Sequence, residues 1–332
     1  MHLVVRSFRT YIVDGRFASL IVSLVVIIMR AALFLKGDRS PVAFSDTGYL
    51  WPYAAPLFSD PMISAAASTI SVFLIAFLIS AINSRFMLLR SRSSLPFAAP
   101  LLLLSLHPWF LVMTTDYIAV IFILLAFFPF LKSYQTADAT LYSFRSAILI
   151  GAASLFQIYA LALFPIWWLG ERSMRGSQPR ALLSSLFGLS LIYVFLFSLF
   201  FLKDDLSGFT DPLLSLVSFS LPQLPDYTLM EWGVVVLVGL FFILNMVFSI
   251  KTYSRDKVLT LSFMQFIVFL IIFQLSLQFL FWQETLFFLT LSIALISYLN
   301  AYFYTRTQSA AHIYLALLIA MIATFFYLSH FF

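Results

Sequence analysis

Two aspartates stand out as groups that could do chemistry. Asp46 lies in Phe44-Ser-Asp-Thr-Gly-Tyr-Leu-Trp-Pro-Tyr53, and Asp116 lies in Met113-Thr-Thr-Asp-Tyr117, each in a polar connection between long apolar runs. A carboxylate at Asp46 can act as a general base, accepting the proton of a hydroxyl as that hydroxyl attacks an electrophilic carbon. A second carboxylate at Asp116 can orient the attacking group or help hold a divalent cation through oxygen ligands. The competing reading makes both solvated loop acids, with Asp116 capping the N-terminus of the helix that follows. Arg30 is a third candidate, because a charge inside an apolar span is a functional suspect by default and a guanidinium can meet a lipid phosphate. It lies only about 7–8 Å from the end of its run at roughly 1.5 Å per residue, so snorkelling to the interface is its alternative. Gln274 and Gln278 share one helical face ahead of Gln283-Glu284. They could line a polar cavity or hydrogen-bond between helices.

The elements that must position these groups follow from composition. Of the 332 residues, 62% are hydrophobic and 10% charged, far from the roughly one-quarter charged residues of a soluble domain. Several runs approach the ~20 apolar residues that cross a bilayer as a helix. The expected fold class is all-α, a polytopic transmembrane helical bundle forming a single integral membrane domain over 1–332. The chain has no cysteine, which excludes disulfides, thiol catalysis and cysteine metal ligands. Its four histidines, His2, His107, His312 and His330, fall in separate segments with no metal-ligand spacing, so no histidine-rich iron or zinc site is expected and no metal ligand is assigned. The net charge of +5 resides in short loops beside apolar segments. It therefore reports topology and implies no nucleic-acid partner. The aromatic residues, the six tryptophans among them, mostly mark the membrane interfaces and need no cofactor.

Apolar runs predict helices over about 17–35, 62–82, 96–112, 116–131, 181–202, 234–250, 258–279, 285–304 and 312–329. The first exceeds the roughly 7–15 residues of a signal-peptide core and lacks a cleavage site, so it is read as a retained helix. Residues 146–169 are ambiguous. Read as one crossing, they divide Lys and Arg into 9 inside and 10 outside; read as two arms meeting near Gln157, they leave 15 inside, with only Arg30, Lys36, Arg39 and Lys203 outside. The positive-inside rule selects the two-arm version. It gives about 11 membrane helices including a short broken hairpin, a cytoplasmic N-terminus and an extracytoplasmic C-terminus. Each arm, at about 11–13 residues, would need shielding by neighbouring protein. The outer connection 203–233 contains an apolar stretch, 212–221, expected to lie on the membrane surface.

In this order the features resemble the GT-C superfamily, membrane glycosyltransferases that use polyprenyl-phosphate sugars at the outer face. Four landmarks over 17–180 carry the resemblance. They are an outer loop with Asp46, Tyr49 and Pro52, a basic loop after the second helix, His107-Pro-Trp-Phe110 leading to Asp116-Tyr117, and a short hairpin from Ile148-Leu-Ile-Gly-Ala-Ala-Ser-Leu155 to Phe164-Pro-Ile-Trp-Trp168. The whole chain is also similar to an uncharacterised family of bacterial multi-pass membrane proteins, through Tyr134-Gln135, Phe144 and Gly151-Ala-Ala-Ser-Leu-Phe156. The GT-C resemblance implies catalytic roles for Asp46 and Asp116, substrate binding by Arg30, Tyr49 and Gln157, and membrane lipid and a polyprenyl-phosphate sugar as partners. Residues 181–332 would then be additional helices, and the location the bacterial inner membrane. The chain departs from the pattern where Thr47 follows Asp46 in place of a second acid. It departs again where Gln157 replaces a basic residue at the hairpin tip. The alternative is a non-catalytic subunit or scaffold of an envelope complex, with a membrane protein partner. A transporter ranks third, since no repeated half is visible.

Overall fold

The computed structural model describes residues 2–15, 17–36, 48–89, 93–219, 229–253 and 256–331. It is all-helical, with no strand among the described residues. Among the described residues ten helices have 12 residues or more: α1 (Ala18–Lys36), α2 (Pro61–Phe86), α3 (Thr115–Lys132), α4 (Thr140–Phe156), α5 (Phe164–Arg175), α6 (Pro179–Leu202), α7 (Leu229–Tyr253), α8 (Val258–Leu280), α9 (Thr285–Arg306) and α10 (Ala310–Ser329). Seven described segments are long and apolar enough to cross a membrane, so the chain is a multi-pass membrane protein. The segment of α9 is central, 83% buried over its most apolar window, whereas those of α1 and α10 are 17% and 11% buried. The apolar residues that these outer helices expose are therefore the lipid-facing ones.

Two expectations about local structure need correction. Residues 96–112 do not form one helix: a helix over Leu95–Leu103 stops, and after a bend a single 3-10 turn covers Pro108–Leu111. Pro108 forces His107 out of the helical region, to φ −124 and ψ 141. In the connection after α6 the helix is Leu206–Ser215, starting earlier than the expected 212–221, of which 220–221 lie outside the described residues; Asp205 caps it by accepting from the backbone N–H of Gly208 at 3.0 Å.

The stretch 146–169 is interrupted at Gln157, whose φ −136 and ψ 104 end α4. A 3-10 stretch, Ile158–Leu163, then leads into α5 with Pro165 in its first turn. The first arm is 17 residues long and the second combines 6 and 12, so both are longer than the 11–13 expected. The chain returns to the end where it began, since the Gln178 amide donates to Thr136 O at 3.1 Å and accepts from Ala139 N at 3.3 Å. Glycines let α4 lie close to α6. A side chain at Gly151 would run into Ile192, and one at Gly188 into Phe144. Tyr193 and Ser154 then pair their hydroxyls across the contact at 2.8 Å. Small residues and hydroxyl pairs are the usual means of helix association in lipid, where hydrophobic burial supplies little drive.

Contacts sort the connections into two ends. At one end Ser94 N donates to Val13 O at 3.0 Å, Arg9 to Thr305 O at 3.3 Å and Tyr302 to Asp256 at 2.6 Å. At the other, Leu50 N donates to Leu155 O at 3.0 Å and Tyr327 to Met29 O at 2.9 Å. The core between them is aromatic. The ring of Phe266 lies 4.5 Å from that of Phe130 and 5.4 Å from that of Trp167, geometries worth about 0.5–1.5 kcal/mol each beyond burial. Gly170 of α5 leaves the room this cluster needs, because a Cβ there would overlap the Phe266 ring. Gly170→Ala should therefore lower the stability of the purified protein by roughly 1–3 kcal/mol in detergent unfolding. Gly239→Ala, with no described residue within 4 Å of the added carbon, should leave stability unchanged or raise it.

Candidate functional site

Three connections meet where α3 begins, α4 ends and α9 begins. Asp116 lies in the first turn of α3, with Thr114 holding the N-cap position at φ −130 and ψ 166. Glu284 ends the 3-10 turn Trp282–Glu284 immediately before α9. Both carboxylates are thus at helix N-termini, where the partial positive charge of unsatisfied N–H groups favours an anion. Both are buried, each 4% exposed, and Gln157 between them is fully buried. Its amide nitrogen donates to Asp116 Oδ1 at 2.9 Å and to Glu284 Oε2 at 3.0 Å. A primary amide carries two N–H donors and so can serve both acids, while the opposite orientation would set its oxygen against two acceptors. Thr114 adds a hydroxyl to Asp116 Oδ2 at 3.1 Å.

Asp116 is therefore neither a solvated loop acid nor the helix cap. It is one half of a carboxylate pair clamped by an amide. The connection that includes Tyr49 covers the hairpin break beside this pair. Gly48 packs against the carbonyl of Phe156 with no room for a side chain, and the next contact is the Leu50–Leu155 bond. Tyr49 turns away from the pair. Its ring is 3% exposed among Tyr193, Phe200 and Phe209, and its hydroxyl donates to Phe209 O at 2.8 Å. Burial raises the Tyr49 pKa further above its ordinary value, keeping the hydroxyl protonated as that donor. Asp46 lies outside the described residues. On the other side of the break, Tyr159 donates to Ser215 O at 3.3 Å and accepts from Gln283 at 3.2 Å.

Arg30 does not snorkel. It is 3% exposed and is held by protein groups: Nε donates to Thr69 Oγ1 at 2.8 Å, Nη1 to Leu104 O at 3.0 Å, and Nη2 to Ser68 Oγ and Phe110 O, each at 2.7 Å. Tyr117, next to Asp116, donates to the same Phe110 carbonyl at 2.6 Å. Arg30 and Tyr117 thus converge on the backbone that leads into α3 and the carboxylate site. Gln274 donates to Ser292 across the α8–α9 contact at 2.6 Å, an interhelical bond.

Glu284 is the residue that sequence reasoning passed over as a site member. Its partner Gln157 lies 127 positions away, and the only local signal is an acid directly before a membrane helix. Among the described residues no group of three or more His, Cys, Asp or Glu could hold a metal ion. The pair alone would offer a cation two carboxylates.

Replacing the shared donor should expose the pair's dependence on it. Gln157→Leu leaves two buried carboxylates short of a hydrogen bond and should cost about 2–4 kcal/mol in detergent unfolding. Combining it with Glu284→Gln should deviate from additivity by about 0.5 kcal/mol or more, as for residues in direct contact. Additive losses would show that the amide does not couple the two acids. Compared with protein-family models, with curated proteins and with solved structures, the chain finds no match in any of the three.

Proposed function

We propose that this protein binds a lipid-linked sugar at the extracytoplasmic end of its bundle and acts on it as a GT-C-like glycosyltransferase of the bacterial inner membrane. The proposed topology has about 11 crossings, with the hairpin counted as two. The observation that carries the proposal is the buried carboxylate pair Asp116 and Glu284, bridged by Gln157 at a break in the helices. Buried, oriented carboxylate oxygens suit sugar hydroxyls, and charge-assisted bonds of this kind are about twice as strong as neutral ones. In the proposed reaction a carboxylate accepts the proton of the acceptor hydroxyl. The hydroxyl oxygen bonds to the anomeric carbon, and the sugar–phosphate bond breaks to release the polyprenyl phosphate. Asp46 is the proposed base, with Asp116 and Glu284 holding the sugar.

A second reading, a non-catalytic subunit that docks a membrane protein partner, draws on the same contacts. The carboxylates accept from Gln157 and Thr114, and Arg30 is spent on Ser68, Thr69 and two carbonyls. These groups then serve as interhelical fasteners.

Binding of a short-chain polyprenyl-phosphate sugar to the purified protein separates the two. Under the first reading Asp116→Asn, Glu284→Gln and Asp46→Asn each weaken binding or turnover about tenfold or more while the melting temperature stays close to the parent's. Parent-like binding and turnover in all three removes the enzyme reading, and a loss of melting temperature alone supports the fastener role. Orientation is checked separately in this cysteine-free chain. Exposed Ser59 lies at the carboxylate end and exposed Ser177 at the end with the hairpin feet. An impermeant maleimide should label Ser59→Cys in intact cells and Ser177→Cys only after permeabilisation, and the reverse pattern would overturn the proposed topology.

A further inference from the structure

The lipid-facing side of the α3–α4 contact carries a groove of about 460 Å³, within the roughly 300–1,000 Å³ of ordinary ligand pockets. Leu125, Phe128 and Lys132 line it from α3, at the i, i+3, i+7 spacing that shares one helix face. Tyr142, Arg145 and Leu149 line it from α4 at the same spacing. Its character changes along its length. The α3 residues Leu125 and Phe128 lie within a membrane-spanning segment and are apolar, while both cations lie toward the end with the hairpin feet. Leu125 to Lys132 covers about 10 Å at 1.5 Å per residue, enough to run from hydrocarbon into the headgroup layer. Lys132 and Arg145 are exposed, and no ion pair is formed by either among the described residues. A third cation stands close by, since the Arg85 guanidinium lies 5.9 Å from the centre of the Phe128 ring.

We propose that this groove is a site for one anionic phospholipid. The phosphate lies between Lys132 and Arg145, with the Tyr142 hydroxyl as a further donor, and an acyl chain lies over Leu125, Phe128 and Leu149. Charge complementarity selects an anionic headgroup, and the apolar floor at membrane depth selects a lipid over a soluble phosphate. A tethered chain also raises the local concentration of its headgroup at the cations. The site is separate from the carboxylate pair yet shares its supports, because α3 begins at the turn with Asp116 and α4 ends at Gln157. A bound lipid would brace the two helices that hold the pair.

Native mass spectrometry of the full-length protein in zwitterionic detergent, titrated with phosphatidylglycerol or phosphatidylcholine, tests the assignment. One phosphatidylglycerol should be retained about tenfold or more tightly than phosphatidylcholine. The double variant Lys132→Ala, Arg145→Ala should abolish that preference, whereas Lys257→Ala, which removes an exposed cation elsewhere on the same end, should keep it. Leu149→Trp, which fills the groove and keeps both cations, should weaken retention of phosphatidylglycerol. Equal retention of the two lipids, or a preference that survives the double variant, overturns the proposal. So does competition by chain-free glycerophosphoglycerol at the same concentrations as the lipid, which would make this a phosphate site without a chain.

Discussion

The Arg30 guanidinium is the interaction on which the candidate site depends. Between Leu104 and Met113 the backbone is not a regular helix, and Leu104, Ser105, Phe110 and Met113 along it are buried in the bundle. Such backbone is tolerated in a membrane only where protein satisfies the freed groups. Arg30 does this for Leu104 and Phe110, while Ser68 donates to Leu111 O at 2.5 Å and Ser64 accepts from Met113 N at 2.8 Å. Four donors and acceptors from α1 and α2 therefore decide where α3 starts, and with it where Asp116 lies. A charge that composition alone would flag as a ligand for phosphate is, in this fold, the ligand of a broken backbone.

The second irregularity depends on the first. α4 stops at Gln157, level with the start of α3, and the side chain of the residue that ends it joins Asp116 to Glu284. One break supplies the amide and two helix starts supply the acids. The polar groups of the site are thus by-products of interrupted helices, which is the arrangement that lets polar chemistry exist inside an apolar bundle. The same geometry serves binding and cohesion equally, so the two functional readings share their observations and part only in solution behaviour.

Much of the fold was legible in the chain because its cause is local. Lipid-crossing helices are set by the length of an apolar run, and α1, α2, α3, α6, α8, α9 and α10 follow their runs to within a few residues. The interruption at Gln157 was readable from charge, since only a chain returning there leaves Lys and Arg predominantly on one side. The run 96–112 misled for an equally local reason: its apolar content concealed Pro100 and Pro108, of which Pro108 ends any helical course at His107.

By itself the sequence determined the class of molecule, the apolar segments and the presence of acids at connection points, because each depends on composition within a window of about twenty residues. Tertiary structure alone decided the partners. Glu284 joins Asp116 through a residue 127 positions away, Tyr49 anchors to Phe209 160 positions away, and Arg30 closes on carbonyls up to 80 positions away. No local pattern carries that information. A hydrogen bond in an apolar interior is selected by which donors and acceptors have been left unsatisfied there, and that is set only once the helices have packed.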